Sequence, residues 1–146
     1  MKSQAYLDLQ EKHREEISNF PIAYAFNDEQ LKEALEKLGA KSIDECVTVM
    51  ESGDIMKREN AKPFLDMLKR QLKEVQDLLL SDMDIAEAAF LYEMDNHEYA
   101  INWSGDEDVL RCFGLDEEEL VAFGLEIPYL RARKKHMEHA REWEMI

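Results

Sequence analysis

The sequence predicts an α+β fold, a helix-dominated single domain over residues 1–146 with a small sheet of three to four short strands. Apolar residues recur every three or four positions along most of the chain, which is the period of a helix that packs on one face. Only a few short runs are rich in β-branched and aromatic residues. No Gly/Ser-rich or Pro-rich stretch divides the chain, whose length is that of one ordinary domain, so one compact acidic domain is expected.

The first part of the chain predicts a helix, a strand and a second helix. The first helix has one apolar face and ends at Pro21. Residues 22–26 form a short apolar run between Pro21 and Asn27, which is typical of a buried strand. Asn27 and Gln30 have the spacing of a capping box, and Gly39 can end a helix, so the second helix is predicted between them.

The following segment predicts a hairpin and the longest helix. Residues 46–50 favour a strand, although Ser42 also resembles a helix cap. The turn Ser52-Gly53-Asp54 would fold the chain back onto a second short strand over 54–57. The longest helix is expected to begin near Asn60.

The last half of the chain predicts four more helices and one more strand. Asp84 is placed to cap a helix, and residues 99–103 alternate like a strand. Short helices are expected after Ser104 and after Asp116, the latter with Leu115, Leu120 and Phe123 turned inward. The final helix is expected to begin at Pro128.

The negative charge is concentrated in the middle of the chain. The net charge is −15, and residues 74–127 carry 16 acids and one base, Arg111. Such a surface repels phosphates and anionic lipid, so no direct nucleic-acid or membrane binding is predicted. A basic protein is the partner that this charge favours.

Hydropathy and cysteine content predict a cytoplasmic protein. No apolar run reaches the roughly 20 residues that span a bilayer, and the N-terminus has no signal-peptide pattern. Cys46 and Cys112 lie far apart between apolar neighbours, which favours buried free thiols in a reducing compartment.

Two pairs of residues have the spacing of partial metal sites. Glu93 and His97 are four residues apart on one predicted helix, and His136 and His139 are three apart on another. A zinc site usually needs three or four converging ligands, and no third ligand has a recognisable spacing, so no metal and no cofactor are predicted. His136 and His139 are expected on an exposed polar helix.

The sequence contains no motif for common catalytic chemistry. It has no Gly-x-Ser-x-Gly elbow, no phosphate-cradling loop and only five glycines. With 33 carboxylates, a pair at acid/base separation is expected by chance. The prediction is therefore that the protein is not an enzyme.

The densest acids form a candidate partner-binding ridge on two successive short helices. Its members are Asp106, Glu107, Asp108, Asp116, Glu117, Glu118 and Glu119. Carboxylates spaced like phosphates could occupy a basic nucleic-acid-binding groove. The alternative is that these side chains cap helices and keep the protein soluble.

A second candidate is a polar junction formed by Asn96, His97, Glu98 and Tyr99. It lies where a predicted helix meets the predicted strand 99–103. Asn and His tolerate irregular backbone and can bond to it, so the junction is interpreted as holding this connection together. A binding surface is the alternative.

Several segments of this chain resemble a known family. They are Phe20-Pro21-Ile22-Ala23-Tyr24-Ala25-Phe26-Asn27-Asp28-Glu29-Gln30, Gly53-Asp54-Ile55-Met56-Lys57-Arg58, Phe90-Leu91-Tyr92-Glu93-Met94-Asp95-Asn96-His97-Glu98-Tyr99 and Phe113-Gly114-Leu115. Together they are similar to a family of small acidic uncharacterised proteins from phages and mobile elements of anaerobic, gut-associated bacteria. The resemblance implies no known activity. It implies an accessory protein that acts by binding host factors.

The leading hypothesis is a non-catalytic accessory protein of a phage or mobile element. It would bind a host or element protein, in one version as an anti-defence inhibitor that mimics nucleic-acid charge. One alternative is a homo-oligomeric structural or regulatory module whose acidity serves only solubility. The other is a small metal-dependent enzyme that uses Glu93 and His97.

Overall fold

A computed structural model describes residues 2–146 and confirms a helix-dominated α+β fold. Within these residues it has seven α-helices: α1 Lys2–Ser18, α2 Asp28–Leu38, α3 Arg58–Ser81, α4 Met83–Asn96, α5 Gly105–Arg111, α6 Glu117–Ala122 and α7 Glu126–Glu142. It also has three short strands: β1 Ala23–Tyr24, β2 Cys46–Val47 and β3 Asp54–Lys57. Two 3₁₀ helices cover Ile43–Glu45 and Tyr99–Ile101.

The chain divides into two compact units. One unit is Lys12–Gln71, and the other combines Met1–Glu11 with Leu72–Ile146. The boundaries fall inside α1 and α3. The expectation of a single domain stays a prediction.

The Lys12–Gln71 unit is built on a three-stranded antiparallel sheet with the order β1-β3-β2. Cys46 pairs with Lys57 across the predicted hairpin, and Ala23 pairs with Ile55. The cap of α2 is as predicted, because the Asn27 side chain accepts a bond from the Gln30 N–H at 2.8 Å. The strands are shorter than the apolar runs that predicted them.

The turn before β3 is organised by one buried carboxylate, Asp54, which is 1% exposed. Its oxygens accept bonds from the Thr48 hydroxyl at 3.0 Å and from the Val49 amide at 2.9 Å. The amides of Met50 and Ser52 also donate to it. Burial by itself would raise the pKa of Asp54, but these donors outweigh it and lower the pKa to about 2.

The unit that contains Leu72–Ile146 buries an aromatic core. Phe90 contacts Phe113 and Tyr129 edge to face, with ring centroids 4.9 and 5.2 Å apart. Tyr6 from α1 lies 5.4 Å from Phe113. Such ring pairs add to the stabilisation from burial. Helices α4 and α7 pack along each other. Helix α4 carries Glu93 and Asp95, and α7 carries His136 and His139.

The predicted strand over residues 99–103 is wrong. Glu98 adopts a left-handed conformation with φ of 51°, and the chain then turns into the 3₁₀ helix Tyr99–Ile101. The Tyr99 hydroxyl bonds to Asp106, and Trp103 lies fully in solvent instead of alternating with buried neighbours. Local hydrogen bonds therefore prevail over the alternating pattern.

Several predicted helix ends move by a few residues. Helix α4 is capped by Asp82, whose side chain accepts from the Asp84 and Ile85 amides, so Asp84 is not the cap. Helix α7 begins at Glu126, two residues before the predicted Pro128. Phe123 is 40% exposed and does not turn inward. None of the helices in residues 2–146 is long and apolar enough to span a membrane.

Candidate functional site

The two acidic helices α5 and α6 border adjoining grooves. One groove of about 410 Å³ is lined by Tyr99, Trp103, Asp106 and other residues of the 102–107 segment. A second of about 440 Å³ is lined by Leu110, Arg111 and the beginning of α6. Glu107 and Glu117 line both grooves. The acids of the two helices therefore share one surface.

We define the acidic surface by the ridge residues whose side chains are exposed: Glu107, Asp116, Glu117, Glu118 and Glu119. Glu107 pairs with Arg111 at 2.7 Å, and both side chains are 70% exposed. An exposed pair of this kind contributes between about 0 and 1 kcal/mol to stability.

A fully exposed tryptophan lies beside this acidic surface. Trp103 lines the same groove as Glu107 and Glu117, and its ring is open to water. Large aromatic side chains in full solvent contact have no folding role to explain them, whereas tryptophan is enriched where proteins dock. The sequence analysis missed Trp103 because the predicted strand would have half buried it.

Two members of the predicted ridge are internal acceptors. Asp106 is half-buried and accepts bonds from the hydroxyls of Tyr99, at 2.7 Å, and Tyr129. Asp108 is also half-buried and accepts from the Asn102 amide at 2.9 Å. These two carboxylates therefore bond within the fold and are not part of the acidic surface.

The tyrosines that bond to Asp106 stay protonated. Burial raises the pKa of Tyr129, and the bond to Asp106 raises it further. The pKa of Tyr99 is raised by the same causes in the same order. Both hydroxyls are therefore permanent donors to this carboxylate.

Part of the remaining acidity has a structural role. The Asp116 side chain accepts from the Glu119 amide at 2.7 Å, and the Glu119 carboxylate accepts from the Asp116 amide at 3.3 Å. This is a complete capping box at the start of α6. Glu117 and Glu118 have no such role in the described residues, apart from favouring the helix N-terminus.

The predicted polar junction combines two of its own side chains, Tyr99 and His97, with a side chain that the sequence did not single out, Asn102. Asn96 and Glu98 are exposed, and His97 ends α4. Asn102 donates to the His97 carbonyl at 3.2 Å and, as above, to Asp108. It therefore ties the end of α4 to α5.

A second histidine, His136, also contacts the junction. The sequence predicts His136 on an exposed helix, but it is completely buried. Its Nε2 accepts from the Ala100 amide at 3.0 Å, so its Nδ1 carries the proton and donates to Asp95 at 2.7 Å. His139 Nδ1 contacts the same carboxylate at 3.0 Å. This pair is thus engaged in structure, with His136 using both nitrogens.

The Glu93 and His97 pair from the sequence analysis acquires a third member. Glu93, His97 and Cys112 place one ligand atom each within 4.8 Å of one another. His97 Nε2 lies 3.3 Å from a Glu93 carboxylate oxygen and 3.4 Å from Cys112 Sγ. The sequence analysis found the first two and missed Cys112, because its apolar neighbours indicated only a buried thiol.

This cluster does not have the geometry of a catalytic cysteine. In such sites the two nitrogens of the histidine contact different groups, one the thiol and the other an orienting carboxylate. Here a single nitrogen of His97 faces both Glu93 and Cys112. Burial and the neighbouring Glu93 raise the pKa of the Cys112 thiol to about 12, which is opposite to what a nucleophile needs.

A family model matches residues 5–124 and is described as a family of unknown function, DUF7659. The chain belongs to this family. The match includes the acidic surface and the Glu93, His97 and Cys112 cluster, and it ends before α7. No curated protein and no solved structure matches the chain.

Proposed function

We propose that this DUF7659 member is a non-catalytic binding protein that docks a basic protein segment on its acidic surface. One observation carries the proposal: the exposed indole of Trp103 borders the groove that Glu107 and Glu117 also line. Carboxylates attract Lys and Arg, and an indole face attracts the same cations. The combination favours a cationic partner over a purely solvated surface.

The finer form of the proposal concerns biological setting. The protein would act in the cytoplasm of a bacterium as an accessory protein of a phage or mobile element, where it binds a host or element protein. As an anti-defence inhibitor it would fill a nucleic-acid groove of that partner. The concentration of 16 acids in residues 74–127 supports this form, because such a surface competes for cations that bind phosphates.

The first test is binding of a fluorescein-labelled oligoarginine peptide. We expect E107Q/E117Q/E118Q to weaken binding at least tenfold at about 50 mM salt, and about 300 mM salt to reproduce much of that loss in the parent. Replacing Trp103 with Ala should also weaken it, since the cation loses its indole contact. In a W143F background Trp103 is the only tryptophan, so its fluorescence should respond to the peptide.

The matched control neutralises three exposed acids elsewhere. E29Q/E33Q/E36Q on α2 removes the same charge and should change peptide affinity less than twofold. Equal losses in the two triple variants would show that the peptide senses net charge alone and would contradict the proposal.

The mimicry form needs its own measurement. We expect the parent, and not E107Q/E117Q/E118Q, to capture a protein from bacterial lysate. When the parent is added to a complex of that protein with its nucleic acid, the nucleic acid should be released. Retention of that nucleic acid in a stable ternary complex would reject mimicry and leave the docking proposal intact.

Self-association is a second candidate, favoured by a separate apolar groove of about 390 Å³ lined by Tyr24 and Phe26. Phe26 is 76% exposed. A copy of this chain could cover such a patch. The mass in solution, measured over a wide concentration range for the parent and F26S, distinguishes this module from a monomer.

A further inference from the structure

We propose that Glu93, His97 and Cys112 form a binding site for one divalent transition-metal ion, zinc above all, with a water molecule as fourth ligand. Carboxylate oxygen, imidazole nitrogen and thiolate sulfur are the ligands that zinc takes in proteins. The site lies on two elements, since Glu93 and His97 are one turn apart at the end of α4 and Cys112 directly follows α5.

The two distances from His97 fit a single metal ion, and the ligand atoms of Glu93 and Cys112 lie within 4.8 Å of each other. Ordinary zinc bond lengths and a tetrahedral angle place a nitrogen and an oxygen ligand about 3.3 Å apart, and a nitrogen and a sulfur ligand about 3.5 Å apart. The corresponding separations around His97 Nε2 are 3.3 Å to Glu93 and 3.4 Å to Cys112. The same nitrogen faces both other ligand atoms, which is how three ligands converge on one ion.

Charge and burial support a cation at this point. Glu93 is 4% exposed, and its polar partners in residues 2–146 are Tyr6, His97 and Cys112. None of them has a permanent positive charge, and a buried carboxylate without one is costly. A divalent ion supplies that charge, and Cys112 releases its proton when it binds. Glutamate and thiolate then neutralise the ion.

Polar groups lie next to the carboxylate. The buried Tyr6 hydroxyl interacts with Glu93 and accepts a bond from Gln10 at 2.7 Å. Polar neighbours of this kind help to orient the ligands of metal sites. The His97 side chain is 34% exposed. One ligand of the cluster therefore contacts solvent, and a water molecule would be the fourth ligand.

The test is a titration of the reduced, full-length protein with Co²⁺, followed by Zn²⁺. We expect one Co²⁺ per chain, with a thiolate-to-cobalt charge-transfer band in the near ultraviolet that Zn²⁺ abolishes. C112S should lose the band, and H97Q and E93Q should bind at least tenfold more weakly. C46S removes the only other thiol and should keep both band and stoichiometry.

Folding is monitored separately by circular dichroism and thermal melting. Zn²⁺ should raise the melting midpoint of the parent and of C46S, because it binds only the folded arrangement, and should not raise that of H97Q. His97 is partly exposed, so H97Q keeps the comparison valid if C112S fails to fold. A parent protein without a stoichiometric thiolate band, or a band that persists in folded C112S, would overturn the site.

Discussion

The two acidic runs of the ridge look alike in sequence and differ in structure. Asp106-Glu107-Asp108 opens α5, and its two aspartates accept bonds from Tyr99, Tyr129 and Asn102. The run that begins at Asp116 opens α6, and two of its glutamates, Glu117 and Glu118, face only water. The difference comes from the neighbours of the first run: Tyr99 and Asn102 lie seven and six residues from the aspartates that they bond to, and Tyr129 lies 23 residues from Asp106. A run of acids therefore does not by itself indicate a solvated face or a binding face.

The sharpest test of this difference is D106N compared with E107Q. Asn keeps the size of Asp106 and loses its charge, so the hydroxyls of buried Tyr129 and half-buried Tyr99 share a weaker acceptor. We expect a loss of about 2–3 kcal/mol in the free energy of unfolding for D106N, and less than about 0.5 kcal/mol for E107Q. Urea denaturation measures both. Similar losses in the two variants would mean that position within α5, and not the tyrosine contacts, sets the cost.

The Lys12–Gln71 unit also contains a carboxylate that accepts bonds within the fold, Asp54. Its folded pKa of about 2 lies below the ordinary 3.8, so its stabilisation is complete above about pH 4 and is lost as pH falls from 3.8 towards 2. This lowering of the pKa of Asp54 corresponds to about 2 kcal/mol in the free energy of unfolding. We expect D54N to be less stable than the parent at neutral pH, with the gap narrowing below pH 4.

D44N is the matched control for Asp54. Asp44 is an exposed acid of the same unit, and within residues 2–146 its side chain has no bond like those that Asp54 accepts. The gap between D44N and the parent should be small and should not change between pH 7 and pH 3. A gap for D54N that stays constant over this range would contradict the charge-based account of the turn.

Local signals were sufficient for most of the helices. The caps at Asn27 and Asp116 and the glycine at Gly39 act within a few residues, and the structure has all three as predicted. The hairpin was also predicted, because its turn is a local signal. Strand 99–103 was wrong because alternation alone does not supply a partner strand, while Tyr99 has a nearby acceptor in Asp106.

The candidate sites depended on contacts that the sequence does not display. Cys112 joins Glu93 and His97 only because α5 folds back on α4. His136 reaches Ala100 and Asp95 from 36 and 41 residues away. No short spacing encodes such pairs. Residue types therefore indicated where charge and ligands are concentrated, and folding decided which of them meet.

The smallest expected change in the free energy of unfolding is for Glu117 and Glu118, which, unlike Asp106, accept no bond from a buried tyrosine in the described part of the chain. Both lie in the first turn of α6, where their charge favours the helix N-terminus by about 0.3 kcal/mol each at low salt. The free energy of unfolding of E117Q/E118Q should therefore lie within about 0.6 kcal/mol of that of the parent. Added salt should reduce this difference, because salt screens the interaction between the glutamates and the helix N-terminus. D116A is the positive control, since it removes the cap that Glu119 completes and should cost about 1 kcal/mol. A loss in E117Q/E118Q as large as that of D116A would show that these glutamates stabilise the fold. Weaker peptide binding by the triple variant would then have to be separated from unfolding before it could support docking.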